Sequence, residues 1–177
     1  MTPEDLKRLE DGIRNVPDFP KPGIQFKDIM PVLGDPELFK LAIEAFIEPV
    51  RDLKIDKIVG IDARGFIFGA VVATELNAGL VPVRKQGKLP FQTHSLAYAL
   101  EYGEAEIEIH VDAIQPGENV YLVDDLLATG GTAGAAQQLI EKVGGNLVAT
   151  GFLIELEFLK GRDKLSPNSD IFTILRY

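Results

Sequence analysis

Lys57 to Ile61 is a short apolar run of strand length, Phe66 to about Asn77 reads as an apolar helix, and Leu80 to Val83 is a second strand-length run. Two strands separated by a helix at this spacing form a βαβ unit, because a parallel pair needs a long crossover connection. The succession recurs further on, with a buried strand at Asn119 to Val123, a helix from about Gly131 to Val143 and a strand from Asn146 to Ile154. Asp170 to Leu175 supplies a last strand, and Glu106-Ile107-Glu108-Ile109-His110 alternates strictly, as a half-exposed strand does. The expected fold is therefore α/β, a mostly parallel central sheet flanked by helices. A length of 177 residues suits one domain, 1–177.

Before the first strand the chain carries its own helix signals. Thr2 is an N-cap followed by Pro3 at the first helical position, and Leu6, Leu9, Ile13 and Val16 fall on one face. Pro17, Pro20, Pro22 and Gly23 then force an extended segment that leads to Ile24-Gln25-Phe26-Lys27-Asp28, so that 1–34 is a helix plus a covering segment. Asp35-Pro36 repeats the cap signal and opens a second amphipathic helix with Leu38, Leu41, Ala42, Ala45 and Phe46 inward.

In a parallel sheet of this kind, ligands bind beyond the carboxyl ends of the strands. The run from Val120 to Thr132 fits that position best. Asp124 and Asp125 end a buried strand, and Thr129-Gly130-Gly131-Thr132 turns into a helix. Glycines let the backbone approach an anion, and a helix N-terminus offers free N–H groups and the positive end of its dipole. Thr129 and Thr132 add hydroxyl donors, so Ala128 to Thr132 suits a phosphate. Carboxylates only accept hydrogen bonds when ionised, so Asp124 and Asp125 suit vicinal sugar hydroxyls. A phosphate beside a diol describes a ribose 5-phosphate. Neither Gly-x-x-x-x-Gly-Lys-Ser/Thr nor Gly-x-Gly-x-x-Gly occurs, which disfavours a P-loop or a dinucleotide fold.

Charge and composition narrow the classes. A net charge of −9 argues against broad nucleic-acid binding, which needs a basic face. With no cysteine and two histidines, any metal is expected to be hard and oxygen-bound. The apolar stretches Phe66 to Ala73 and Leu147 to Ile154 fall short of the ~20 residues of a membrane-spanning helix. The opening residues show no basic patch followed by an apolar core, so no secretory signal is expected and the expected location is the cytoplasm. Against the acidic background, no Asp or Glu occurs from Leu76 to Leu100, where Arg84, Lys85, Lys88 and His94 all fall. Such a run is either a solvated surface loop or a mobile basic loop, 84–95, that closes over phosphates.

Several segments together resemble one family. The Val120 to Thr132 run is similar to the phosphoribosyl-pyrophosphate signature of the type I phosphoribosyltransferases. Pro22-Gly23-Ile24-Gln25-Phe26-Lys27-Asp28, Ala63-Arg64-Gly65-Phe66, Arg84-Lys85-Gln86-Gly87-Lys88-Leu89-Pro90 and Leu100-Glu101-Tyr102-Gly103 resemble the adenine phosphoribosyltransferases, in that family's order. The resemblance runs from about Asp11 to the C-terminus. It implies a type I fold with a small N-terminal hood and a flexible catalytic loop, converting adenine and 5-phosphoribosyl-1-pyrophosphate to AMP and pyrophosphate.

The same resemblance assigns roles to residues. It places Asp124 and Asp125 on the ribose hydroxyls and Ala128, Thr129, Gly130, Gly131 and Thr132 on the 5′-phosphate. Asp62, Ala63 and Arg64 correspond to the pyrophosphate loop, with a non-proline cis peptide implied before or at Ala63, and Arg84 and Lys88 reach the same pyrophosphate. Ile24, Gln25, Phe26, Lys27 and Leu127 correspond to the adenine contacts, with Phe26 stacking on the base. Glu101, Lys88 and Arg64 are the implied catalytic residues, Glu101 managing the purine N7 proton. Mg²⁺ is implied as an ion carried mainly by the phosphoribosyl pyrophosphate, and a homodimer as the assembly. Lys27 stands where many members carry Arg; a side-chain reader there would put adenine specificity in question, whereas a backbone reader tolerates Lys. The alternatives are another purine phosphoribosyltransferase, or a regulator that senses phosphoribosyl pyrophosphate without catalysis. The second would need a DNA-binding face that an acidic chain does not offer.

Overall fold

The computed structural model describes residues 1–99 and 104–177. The chain divides into two compact units, Met1–Glu48 and Pro49–Tyr177.

In the first unit, α1 (Pro3–Gly12) starts at a capping box in which the Thr2 side chain accepts from the Asp5 N–H and the Asp5 carboxylate accepts from the Thr2 N–H. The helix stops sooner than its apolar spacing suggests. Ile13 is already extended, and Val16 belongs to β1 (Arg14–Pro17), which pairs antiparallel with β2 (Gln25–Asp28). Ile13 and Val16 are three apart, a helical spacing, and antiparallel pairing with β2 overrides it at the end of the run. Two further helices follow, α2 (Met30–Gly34) and α3 (Pro36–Ile47), the latter capped by Asp35, whose carboxylate accepts from the N–H groups of Glu37 and Leu38. Ala42, Ala45 and Phe46 are buried as expected, whereas Leu38 and Leu41 are half-buried.

The second unit contains a seven-stranded sheet with the order β5-β6-β4-β3-β7-β8-β9. These strands are β3 (Lys57–Ile61), β4 (Gly79–Lys85), β5 (Thr93–Ala99), β6 (Glu104–His110), β7 (Asn119–Leu127), β8 (Asn146–Glu155) and β9 (Asp170–Arg176). β4, β3, β7, β8 and β9 run parallel, and β6 and β5 add an antiparallel hairpin at one edge. Crossover helices α4 (Arg64–Glu75) and α5 (Gly131–Lys142) join β3 to β4 and β7 to β8. Val59, Val81, Val83, Leu122 and Phe152 form a core with Ala136, Leu139 and Ile140 of α5. The mostly parallel α/β architecture read from the sequence is the one observed.

Of the boundaries that differ from the sequence reading, two bear on the site. β7 continues past Val123 to Leu127, with Asp124 paired to Phe152 and Leu126 to Ile154, so the two acids sit within the strand. The expected loop 84–95 is in part strand, because Arg84 and Lys85 pair with Glu108 and Ile107, and Thr93 to Ser95 pair with His110 to Glu108. Only 86–92 connects the two strands. β6 is also less exposed than its alternation suggests, since Glu108 is 4% exposed. Its neighbours on both sides, β4 and β5, turn a nominally polar position into an interior one.

Candidate active site

β3 and β7 are adjacent and parallel, so the loops at their carboxyl ends lie side by side. Between these loops is a cleft of about 240 Å³. Asp62, Ala63 and Arg64 line it from the β3 side, and Asp124, Asp125, Ala128, Thr129, Gly130, Gly131 and Thr132 from the β7 side. Ile61, Leu126 and Ala133 also line it, and sequence reasoning did not single them out.

Two helices begin at the cleft, and neither is capped by a side chain. The N-cap of α4 is Ala63 and that of α5 is Gly130, whose φ of +78° is the left-handed conformation that glycine adopts without penalty. The first turn of each helix therefore keeps N–H groups for a ligand, and both dipoles favour negative charge there. The Asp62–Ala63 peptide, which opens α4, is cis, as the resemblance implied. Two residues after Ala63, Gly65 has no room for a side chain, because a Cβ would lie 2.7 Å from Asp124 Oδ1. Glycine there lets the α4 turn close against the acid pair.

The acids are held unequally. Asp125 is 6% exposed and accepts from Arg64 Nε, which places a guanidinium against the acid at the cleft. Asp124 Oδ1 accepts from the Asp125 N–H at 2.9 Å. Burial, then the neighbouring Asp125 charge, pushes the Asp124 carboxyl well above the usual carboxylate range. Leu127 lines the cleft but is 1% exposed, so most of its side chain belongs to the core.

The basic residues near the β4 end are tied to the same region. Arg84 Nε donates to Asp62 Oδ2 at 2.9 Å, and its Nη1 donates to the Lys88 carbonyl at 3.3 Å. The N–H groups of Lys88 and Leu89 donate to Glu108 Oε1 at 3.0 and 2.9 Å, and the Thr93 hydroxyl to Oε2 at 3.2 Å. Burial would raise the Glu108 carboxyl, but the N–H groups of Leu89, Gly87 and Lys88 outweigh it and hold the group below its ordinary value. On the far side, the Thr132 hydroxyl donates to the Tyr98 hydroxyl of β5 at 3.0 Å. Nothing in the sequence pointed to Tyr98 or Glu108, since both contacts depend on how the hairpin folds back.

Of the other expected site residues, Glu101 lies outside the described residues. Ile24, Gln25, Phe26 and Lys27 belong to the first unit, where Phe26 is half-buried with its ring edge-on to Phe19 at 5.1 Å, and Ile24 is 39% exposed.

Comparison with known proteins gives this cleft its kinship. Residues 32–175 match the phosphoribosyl transferase domain. A relative from Halothermothrix orenii, an adenine phosphoribosyltransferase, is 58% identical over 95% of this chain and 98% of its own. The chain belongs to the adenine phosphoribosyltransferase family. Another member, from Nitrosococcus oceani, is 53% identical over 91% of this chain and 94% of its own. The crystal structure of the Rhodothermus marinus adenine phosphoribosyltransferase superposes with a TM-score of 0.95 at 54% identity, covering 99% of this chain and 100% of that one. That of the Saccharomyces cerevisiae enzyme, complexed with an imino-altritol bisphosphate and adenine, gives 0.92 at 43% identity over 98% and 99% of the two chains.

Proposed function

We propose that this chain transfers the phosphoribosyl group of 5-phosphoribosyl-1-pyrophosphate to adenine, releasing AMP and pyrophosphate for purine salvage. The observation that carries the reading is the pairing of two uncapped helix N-termini across one cleft with an acid pair between them. One terminus suits the 5′-phosphate at Ala128 to Thr132 and the other the pyrophosphate at Asp62 to Arg64. Asp124 and Asp125 line the same cleft, and as acceptors they suit the hydroxyls of a ribose diol.

The reaction needs no protein nucleophile. As the C1–O bond to pyrophosphate lengthens, the ribosyl centre gains oxocarbenium character and adenine N9 attacks the opposite face. The chain's work is to hold the reactants in line and to neutralise charge growing on pyrophosphate, for which Arg64, Arg84 and Lys88 are the candidate cations. Phe26 stacks on the base, the backbone of Ile24 to Lys27 reads its edge, and Glu101 manages the N7 proton; these roles rest on the family resemblance. Mg²⁺ would be carried mainly by the oxygens of phosphoribosyl pyrophosphate, with Asp124 and Asp125 on the ribose hydroxyls rather than on the ion. When bound, the ion supplies charge neutralisation at the phosphate oxygens. A homodimer and a cytoplasmic location belong to the same reading. No helix among the described residues is long and apolar enough to cross a membrane.

The test is pyrophosphate release with adenine, hypoxanthine and guanine offered separately. Release with adenine alone is expected. Equal release with hypoxanthine or guanine would reject the adenine assignment while leaving the phosphoribosyl chemistry in place.

A further inference from the structure

The loop from Ala128 to Gly134 is backed by a second piece of chain. Between β8 and β9 the backbone makes two 3-10 turns, Glu157–Leu159 and Gly161–Lys164. A Cβ on Gly130 would strike the carbonyl oxygen of Gly161, and one on Gly161 would strike that of Ala128. A Cβ on Gly134 would lie 2.7 Å from the carbonyl oxygen of Lys164. The two backbones thus meet where neither can carry a side chain. Glycine in this turn serves the packing behind the loop as well as any anion in front of it.

The backing segment is itself fixed at both ends. Arg162 donates through Nε to Glu155 Oε1 at 2.7 Å, through Nη2 to Thr173 Oγ1 at 2.9 Å and through Nη1 to the Ile171 carbonyl at 3.4 Å. Glu155 ends β8, and the other two acceptors are on β9, so one guanidinium ties the turn to two strands of the sheet. Four residues later the Ser166 N–H donates to Gln137 Oε1 at 2.7 Å, and Gln137, 1% exposed on α5, donates to Thr150 Oγ1 at 2.9 Å. Glu155 is 4% exposed, and its second oxygen makes no hydrogen bond among the described residues, with Arg176 Nε 3.8 Å away. Removing Arg162 would leave a buried carboxylate without its main partner, and the turn without its anchor.

We propose that Arg162, held by Glu155 and Thr173, is a positioning residue for the 5′-phosphate, pressing Gly161 against Ala128 and Gly130 and so aiming the loop's N–H groups. The proposal rests on the reading of Ala128 to Thr132 as the 5′-phosphate site. A displacement of about 1 Å in such a loop is enough to misalign its donors, although Arg162 touches no substrate.

Ribose 5-phosphate is the probe, because it carries the 5′-phosphate and lacks the pyrophosphate. In calorimetric titrations of the full chain, Arg162→Ala is expected to weaken its binding about tenfold. Arg162→Lys, which keeps one charge toward Glu155 but not the fork, loses less. The Michaelis constant for phosphoribosyl pyrophosphate rises by a similar factor, while turnover at saturation stays within about threefold. If Arg162→Ala does not fold, Arg162→Lys and Thr173→Val carry the comparison. A lowered thermal midpoint with unchanged ribose 5-phosphate affinity would mean that the clamp only stabilises the fold, and would overturn the proposal. A wild-type chain that does not bind ribose 5-phosphate would instead overturn the 5′-phosphate reading beneath it.

Discussion

Asp124 and Asp125 are neighbours in sequence with opposite circumstances. Asp125 has Arg64 beside it, whereas Asp124 is pushed toward its neutral form by burial and by Asp125. Its folded pKa lies above its unfolded value, so Asp124 costs no stability below the ordinary carboxylate pKa. The cost grows as pH rises toward the folded pKa and is fully present above it. Asp124→Asn is therefore expected to raise the thermal midpoint at pH 7, by ~2–4 °C for each kcal/mol relieved, and to leave it unchanged near pH 3. The same substitution should weaken phosphoribosyl pyrophosphate, because a carboxylate to hydroxyl bond contributes ~1.5–3 kcal/mol, or one to two decades in its Michaelis constant. Asp125→Asn should lose the sugar phosphate similarly and gain no stability, since it removes the charge that accepts from Arg64 Nε. Thermal melts and steady-state kinetics on both variants check this, and a lower midpoint for Asp124→Asn at pH 7 would reject it. The pair itself was legible in the sequence as acids ending a buried strand. Their inequality was not, because it depends on Gly65 and Arg64 arriving from another loop.

At the level of elements, strands and helices with an unbroken period were readable, and those whose surroundings decide the matter were not. β3, α4, β7 and α5 follow directly from apolar runs bounded by Gly, Pro and acids. β1 was hidden at the end of a helical pattern, and β5 was hidden inside the basic stretch, where nothing but pairing with β6 makes a strand. Glu108 shows what that pairing creates, since it receives the N–H groups at the root of the 86–92 connection and Lys88 is among them. Lys88→Ala is expected to lower turnover by ~10²-fold, as befits a charge aimed at developing negative charge. Glu108→Gln should lower it by about tenfold by loosening the backbone that carries Lys88. Because Glu108 acts through Lys88, the double variant should be no slower than Lys88→Ala alone. Rates from a double-mutant cycle decide, and fully additive losses would show that Glu108 supports something other than Lys88.

For the whole molecule, the expectation of a mostly parallel α/β sheet held because parallel crossovers leave so few arrangements, while the division after Glu48 has no marker in composition. The topology puts the ends of β3 and β7 side by side, and so splits ligand recognition between two loops of one unit. If Asp62 to Arg64 take pyrophosphate and Ala128 to Thr132 take the 5′-phosphate, the two fragments of the substrate occupy separate halves of the cleft. Each ligand binding the folded state alone stabilises it by ~2.7 kcal/mol at a hundred times its dissociation constant, which for a chain of this size is roughly 5–10 °C. Ribose 5-phosphate and pyrophosphate with Mg²⁺, given together, should therefore raise the midpoint by about the sum of the two single shifts. Phosphoribosyl pyrophosphate should displace both. Two ligands competing for one loop would together exceed the better of them by at most RT ln 2, about 0.4 kcal/mol or 1–2 °C, because each molecule bound excludes the other. Thermal melts with each fragment and with the pair distinguish these cases. A combined shift within about 2 °C of the greater single shift would refute the assignment of two loops to two ends of one substrate.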